Sequence, residues 1–93
     1  MEIKRGNGKF YIGESETDFI AHITFKNGGN NVIVIDHTFV DPSLRGQGIA
    51  GKLMEHVIEM ARNENLKCVP VCSYAVTSFK RHKEYQDVLL NKE

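Results

Sequence analysis

Leu44-Arg45-Gly46-Gln47-Gly48-Ile49-Ala50-Gly51 stands between an apolar strand and an amphipathic run. Upstream, Val32-Ile33-Val34-Ile35 leads through Asp36-His37-Thr38-Phe39-Val40 to a turn at Asp41-Pro42-Ser43. Downstream, apolar residues fall at Ile49, Ala50, Leu53, Met54, Val57, Ile58 and Ala61. They form one stripe of a helical period and predict a helix from Gly48 to Asn63. Three glycines, 46, 48 and 51, therefore lie where a strand hands over to a helix. The first N–H groups of a helix lack internal acceptors, and the helix dipole adds partial positive charge there. Glycine lets an anion approach that backbone closely, so the stretch predicts a phosphate cradle.

Two familiar glycine-rich readings fail. Gly46-x-Gly48-x-x-Gly51 fits the dinucleotide pattern, which wants an acidic residue closing the next strand about 20 residues on. The next apolar segment, Leu66 to Val71, ends without one. Nor do 93 residues leave room for a doubly wound sheet. A nucleotide P-loop needs Ser or Thr after the lysine of Gly51-Lys52, and Leu53 stands there.

Working outward, residues 1 to 8 are polar, and Phe10-Tyr11-Ile12 reads as a short strand ended by Gly13-Glu14-Ser15. From Asp18 the alternation puts Phe19, Ala21, Ile23 and Phe25 on one face, and Ile20, His22, Thr24 and Lys26 on the other. Asn27-Gly28-Gly29-Asn30 is a hairpin signal, so the strand from Asn31 to Val40 runs antiparallel to its predecessor. Its Val32-to-Ile35 centre is apolar on both faces, as in a sheet covered on two sides. Lys52, Glu55, Glu59 and Arg62 form the solvated face of the helix. Leu66 to Val71 is the next strand, parallel to the 31–40 strand after the helical crossover. Pro70 leaves it paired on one side only. Beyond Cys72 the pattern turns helical, and Val88-Leu89-Leu90 gives a last apolar patch.

Composition sets outer limits. A chain with 41% apolar and 26% charged residues reads as one globular domain over residues 1–93 with a modest core. Its 12 basic and 12 acidic residues balance, against a nucleic-acid binder that relies on a basic surface. No apolar run has membrane-spanning length, and Met1-Glu2-Ile3-Lys4-Arg5 has no signal-peptide core, so the expected location is cytoplasmic, away from membranes. Cys68 and Cys72 would lie about 13 Å apart in an extended strand, too far for a direct disulfide. The four histidines lack the short spacings of a zinc site, so no metal is expected.

Arg45-x-x-Gly48-x-Ala50 resembles the Arg/Gln-x-x-Gly-x-Gly/Ala pyrophosphate signature of the GNAT superfamily of acetyl-CoA-dependent N-acetyltransferases. The order strand, Val-Asp-Pro-Ser turn, signature, long helix, strand carries the likeness over about residues 9 to 90. More narrowly, His37-Thr38-x-Val40, Leu44-Arg45-Gly46-Gln47-Gly48, Val69-Pro70-x-Cys72-Ser73 and His82-x-x-Tyr85 resemble very small members, which keep the cofactor-binding half of the fold. The resemblance implies an α/β (α+β) domain: a mostly antiparallel sheet, one splayed parallel strand and a main helix packed on it. It implies acetyl-CoA as cofactor, held by Phe39, Val40, Arg45, Gly46, Gln47, Gly48, Ile49, Ala50 and Gly51. The pantetheine arm would lie between the splayed strands. For Lys80, in the run Lys80-Arg81-His82-Lys83, it implies a contact to the 3′-phosphate end; a solvated helix surface accounts for the same run.

Acetyl transfer needs a bound thioester, a base for the acceptor amine, and a group that stabilises or protonates the departing thiolate. Laying the family's Asn-x-x-Ala-x-x-aromatic-Tyr pattern on Ser73-x-x-Val76-x-x-Phe79-Lys80 puts lysine where the thiolate's tyrosine belongs. Cys72, at the end of the second splayed strand, is then a candidate to take the acetyl group by thiol–thioester exchange, with His37 on the facing strand as base or charge partner. The expected function is acetyl-CoA binding with acetyl transfer to an unidentified amine, directly or through Cys72. The alternative is a non-catalytic acyl-CoA-binding or sensing module, and beyond it a structural domain that has lost the ligand.

Overall fold

A computed structural model describes residues 1–90. Five strands, β1 (Lys4–Gly6), β2 (Lys9–Gly13), β3 (Phe19–Gly29), β4 (Val32–Val40) and β5 (Lys67–Pro70), form one sheet in chain order. All neighbours are antiparallel except β4 and β5, which are parallel. Helix α1 (Ile49–Asn63) makes the crossover between them, and α2 (Ser73–Arg81) follows β5. Short 3-10 turns occupy Pro42–Leu44 and Lys83–Val88. The α/β class and the single parallel pair expected from the sequence are those of the structure.

Helix α1 begins where its apolar stripe begins and buries Ile49, Leu53, Met54, Val57, Ile58, Met60 and Ala61. The stripe packs across β2, β3 and β4, meeting Ile12, Ala21, Ile23 and Ile35 in one core. Each such aliphatic side chain contributes about 1.5–3 kcal/mol by leaving water. Arg62, exposed as expected, also reaches the Lys83–Val88 turn. Its Nε donates to Asp87 Oδ2 at 3.0 Å, and a terminal nitrogen donates to the Glu84 carbonyl at 2.7 Å.

Several local expectations are corrected. The polar N-terminus holds a strand, β1, turned back by Asn7-Gly8, where Gly8 supplies φ +72°. The β3–β4 turn falls at Asn30-Asn31, with φ 50° and 61°, and not at Asn27–Asn30. Two successive positive φ angles suit the twist of a two-residue hairpin, and asparagine tolerates them. Val32 and Val34 are only half-buried, so the second face of β4 is less covered than a centre apolar on both sides suggests.

Bulges matter most for the site. Ile12 opposes Ala21 while Gly13 opposes Phe19, so Ile20 is an extra residue in β3. That insertion turns the Phe19 ring toward His22, on which it stacks at 4.0 Å between centroids, and not onto the Ala21–Ile23 face. Thr24 opposes His37 while Phe25 opposes Ile35, so Asp36 is extra in β4. Directly opposed residues share a face, and one inserted residue reverses the alternation beyond it. Ile35, Thr38 and Val40 therefore share the face of Phe25, Ile23 and Ala21; His37 and Phe39 take the other.

Candidate functional site

Beyond the bulge, β4 and β5 part. Pairing runs from Val32–Lys67 to Ile35–Pro70, and the Ile35 carbonyl then accepts from both Val71 N at 2.9 Å and Cys72 N at 3.2 Å. From there β4 continues through residues 36–40 while the other chain turns into α2. The two segments thus diverge between the end of β4 and the start of α2, the region called the cleft below, bridged by Thr38 and Cys72.

Cys72 is the N-cap of α2. Its sulfur accepts from the Ala75 N–H at 3.4 Å and lies 3.4 Å from the Thr38 hydroxyl across the cleft. The structure thus brings Cys72 to Thr38 and not to His37. The His37 ring meets the His22 ring edge-on at 5.3 Å on the opposite sheet face. Thr38 was given no role in the sequence; alternation alone counts His37 onto the face of Ile33 and Ile35, and only the bulge reverses it. The two cysteines are free and differ in kind. Cys68 is fully buried, and burial, followed by the charge of Asp87, pushes its thiol up to about 12. Cys72 is half-buried at the cleft.

At the end of β4, Asp41 caps the 3-10 turn by accepting from Ser43 N at 3.0 Å and from the Ser43 hydroxyl. Those two donors, hydroxyl first, hold its carboxyl below the usual range. Buried Leu44 and Ile49 then anchor the two ends of the exposed loop 45–48. Gly46 and Gly48 have φ +84° and +73°, which only glycine adopts readily. A Cβ built on either would meet nothing within 4 Å, so the loop is open above both. Gly51 is ordinary helix, and a Cβ there would touch only the Tyr74 hydroxyl, at 3.7 Å. The first N–H of α1 bonded within the helix is that of Lys52, to Gly48 O at 3.1 Å. Among the described residues, the N–H groups of 46 to 51 have no protein acceptor. Arg45 lies exposed beside them.

Phe39 and Val40 are half-buried on opposite faces of β4, Val40 packing against the core. Lys80 lies elsewhere, on the last turn of α2, lining a groove with Val69 and Pro70. Tyr74, in the first turn of α2, has its hydroxyl beside Gly51, and burial raises its pKa. Tyr85 is buried against Phe79, away from the cleft.

Behind the cleft, His22 is buried with both ring nitrogens lacking a hydrogen-bond partner. Burial first, then the charges of His37 and Lys9, lower its pKa from the ordinary 6.5. The unfolded chain therefore takes up this proton at a higher pH than the folded one. Stability from this group is complete above about 6.5 and falls as pH drops toward the lowered value. The depressed carboxylates, Asp41, Glu64, Glu84 and Asp87, act only at lower pH, below their ordinary 3.8 to 4.5. We expect the melting temperature to fall between pH 7.5 and 5.5 in the wild type, and a flatter profile in His22→Phe. Parallel profiles for the two proteins by differential scanning calorimetry would remove His22 as the source.

A family profile described as GCN5-related N-acetyl-transferase matches residues 9–88, and the chain belongs to that family. The solution structure of a GCN5-like protein from Staphylococcus aureus is 47% identical, with TM-score 0.83, covering 99% of this chain and 90% of the other. More distant structures share the fold. A GNAT family acetyltransferase from Elizabethkingia anophelis with acetyl-CoA bound is 19% identical, with TM-score 0.58, over 83% of this chain and 51% of its own. Tetrahymena GCN5 is 13% identical, with TM-score 0.62, over 91% of this chain and 61% of its own. No curated protein matches the chain. Among the described residues, no helix is long and apolar enough to cross a membrane.

Proposed function

We propose that the protein binds acetyl-CoA and transfers its acetyl group. The pyrophosphate is received by the backbone N–H groups of residues 46 to 51, with Arg45 beside them. The arm follows the β4 edge past Val40 and Phe39 into the cleft, and the thioester reaches Cys72. The observation that carries this reading is the run of unbonded N–H groups over two left-handed glycines, next to α2 through the Tyr74 hydroxyl at Gly51, with the free thiol of Cys72 capping that same helix. A helix N-terminus with open backbone donors suits phosphate charge.

Transfer through Cys72 balances simply. The thiol gives up its proton, its sulfur attacks the thioester carbonyl, the carbon–sulfur bond to coenzyme A breaks, and the departing thiolate takes a proton. An amine then attacks the acetyl-cysteine and releases the thiol. The Ala75 N–H donates to the sulfur and the Thr38 hydroxyl lies at hydrogen-bond distance from it, so the two hold it in place through the exchange. His37 reaches this chemistry only if β4 shifts. An amide-detected NMR titration with acetyl-CoA tests the binding reading, with the largest shifts expected at residues 45 to 51.

The second reading, binding without turnover, draws on lysine standing at position 80 in place of the family tyrosine. Release of free coenzyme A thiol in the presence of candidate amines distinguishes the two.

A further inference from the structure

The groove between β5 and α2 takes no part in the acetyl-transfer reading. It encloses about 680 Å³, within the range of small-molecule clefts, and none of its lining belongs to the 45–51 loop or to β4. Val76 and Lys80, four apart, share one side of α2, Lys83 starts the 3-10 turn that follows it, and Pro70, Phe79 and Leu89 add apolar lining. Gln86 fixes one end by donating to the Phe79 carbonyl at 3.0 Å.

Charge decides what the groove suits. The cations and carboxylates around it are already engaged: Arg62 with Asp87, His82 with Glu84, Lys67 with the Asp87 carbonyl. Among the described residues, Lys80 and Lys83 make no ion pair or hydrogen bond. Two exposed ammonium groups thus border an apolar wall without a counter-charge, a pairing that favours a ligand with an anionic head and an aliphatic tail.

We propose that this groove binds a small amphiphilic carboxylate, its tail against Pro70, Val76, Phe79 and Leu89 and its carboxylate at Lys80 and Lys83. Lys80 then serves this groove and not the nucleotide end of coenzyme A. The proposal stands apart from the acetyl-transfer reading.

NMR titration of the full chain with octanoate, and with octylammonium as a tail-matched cation, tests it. Octanoate should shift amides at 69, 76, 79, 80, 83 and 89, and bind about tenfold more tightly than octylammonium. Lys80→Gln and Lys83→Gln should each weaken octanoate about threefold, as expected for rim charges. Both side chains are exposed, so the fold should be untouched, which unchanged α1 amide positions will show. Val76→Asp should abolish binding by placing a like charge in the wall. Saturating acetyl-CoA should leave octanoate affinity unchanged. Equal binding of the two probes, octanoate shifts elsewhere, or displacement of octanoate by acetyl-CoA would each overturn the proposal.

Discussion

Incubated with acetyl-CoA, the protein should gain one acetyl group, labile to hydroxylamine and located on Cys72. Cys68 should remain unlabelled: it is shut in the core, and its thiol, pushed up to about 12, offers almost no thiolate near neutrality. Cys72→Ala should abolish labelling while leaving acetyl-CoA affinity within about twofold, because the loop proposed to hold the phosphates is a separate part of the chain. That variant also loses the α2 cap, which costs about 1 kcal/mol. Cys72→Ser keeps a capping atom and removes the thiol, so it separates chemistry from folding. Thr38→Val should slow labelling about fivefold, the worth of one hydrogen bond to the sulfur. A slowing confined to His37→Ala would return the partner's role to the imidazole. Peptide mass spectrometry decides the position. Unlabelled protein at saturating acetyl-CoA between pH 6 and 9, a span reaching past the roughly 8.5 of a free thiol, would remove the covalent route.

Gly48→Glu should reduce acetyl-CoA affinity by about a hundredfold or more. Losing even two charge-assisted N–H bonds, each about 1.5–3 kcal/mol, reaches that figure before phosphate–carboxylate repulsion is counted. The fold should survive. A side chain at φ +73° costs about 1–2 kcal/mol, and a Cβ at that place meets nothing within 4 Å. Gly48→Asn is the control, since asparagine tolerates the left-handed conformation and adds no charge. It should stay folded and bind more tightly than the glutamate variant. Calorimetric titration of the three proteins gives the result, and wild-type affinity in Gly48→Glu would place the phosphates elsewhere.

Much of this was legible before any coordinates. The stripe from Ile49 to Ala61 has one helical solution, and the strands on either side of it must then be parallel. The open loop with its unbonded N–H groups follows from glycines placed at that junction. What escaped the sequence were insertions of one residue. Ile20 and Asp36 are extra residues in paired strands; only the first has a glycine opposite it, Gly13. Alternation counted through Asp36 gives His37 the core side, whereas the bulge gives that side to Thr38. The sulfur's neighbour in the fold was therefore adjacent in sequence to the one chosen. Strand β1 was missed for a different reason: it is short and polar, and only the Asn7-Gly8 turn marks it.

The order of the strands has a bearing on how the molecule assembles. β1 to β4 are joined by Asn7–Gly8, Glu14–Asp18 and Asn30–Asn31, so each pairing closes a short loop. β5 can reach β4 only after the whole segment from Asp41 to Leu66 is in place, and closure entropy makes such contacts late. The β4–β5 seam beside Cys72 is thus expected to be the last of the pairings to form. Native-state hydrogen exchange should show Val69 and Val71 opening before Ile23, and acetyl-CoA should slow those two amides selectively. Equal protection of β3 and β5 in the free protein would count against this order. On this view the ligand closes the final step of folding, and the proposed site is the part of the molecule whose stability depends most on what it holds.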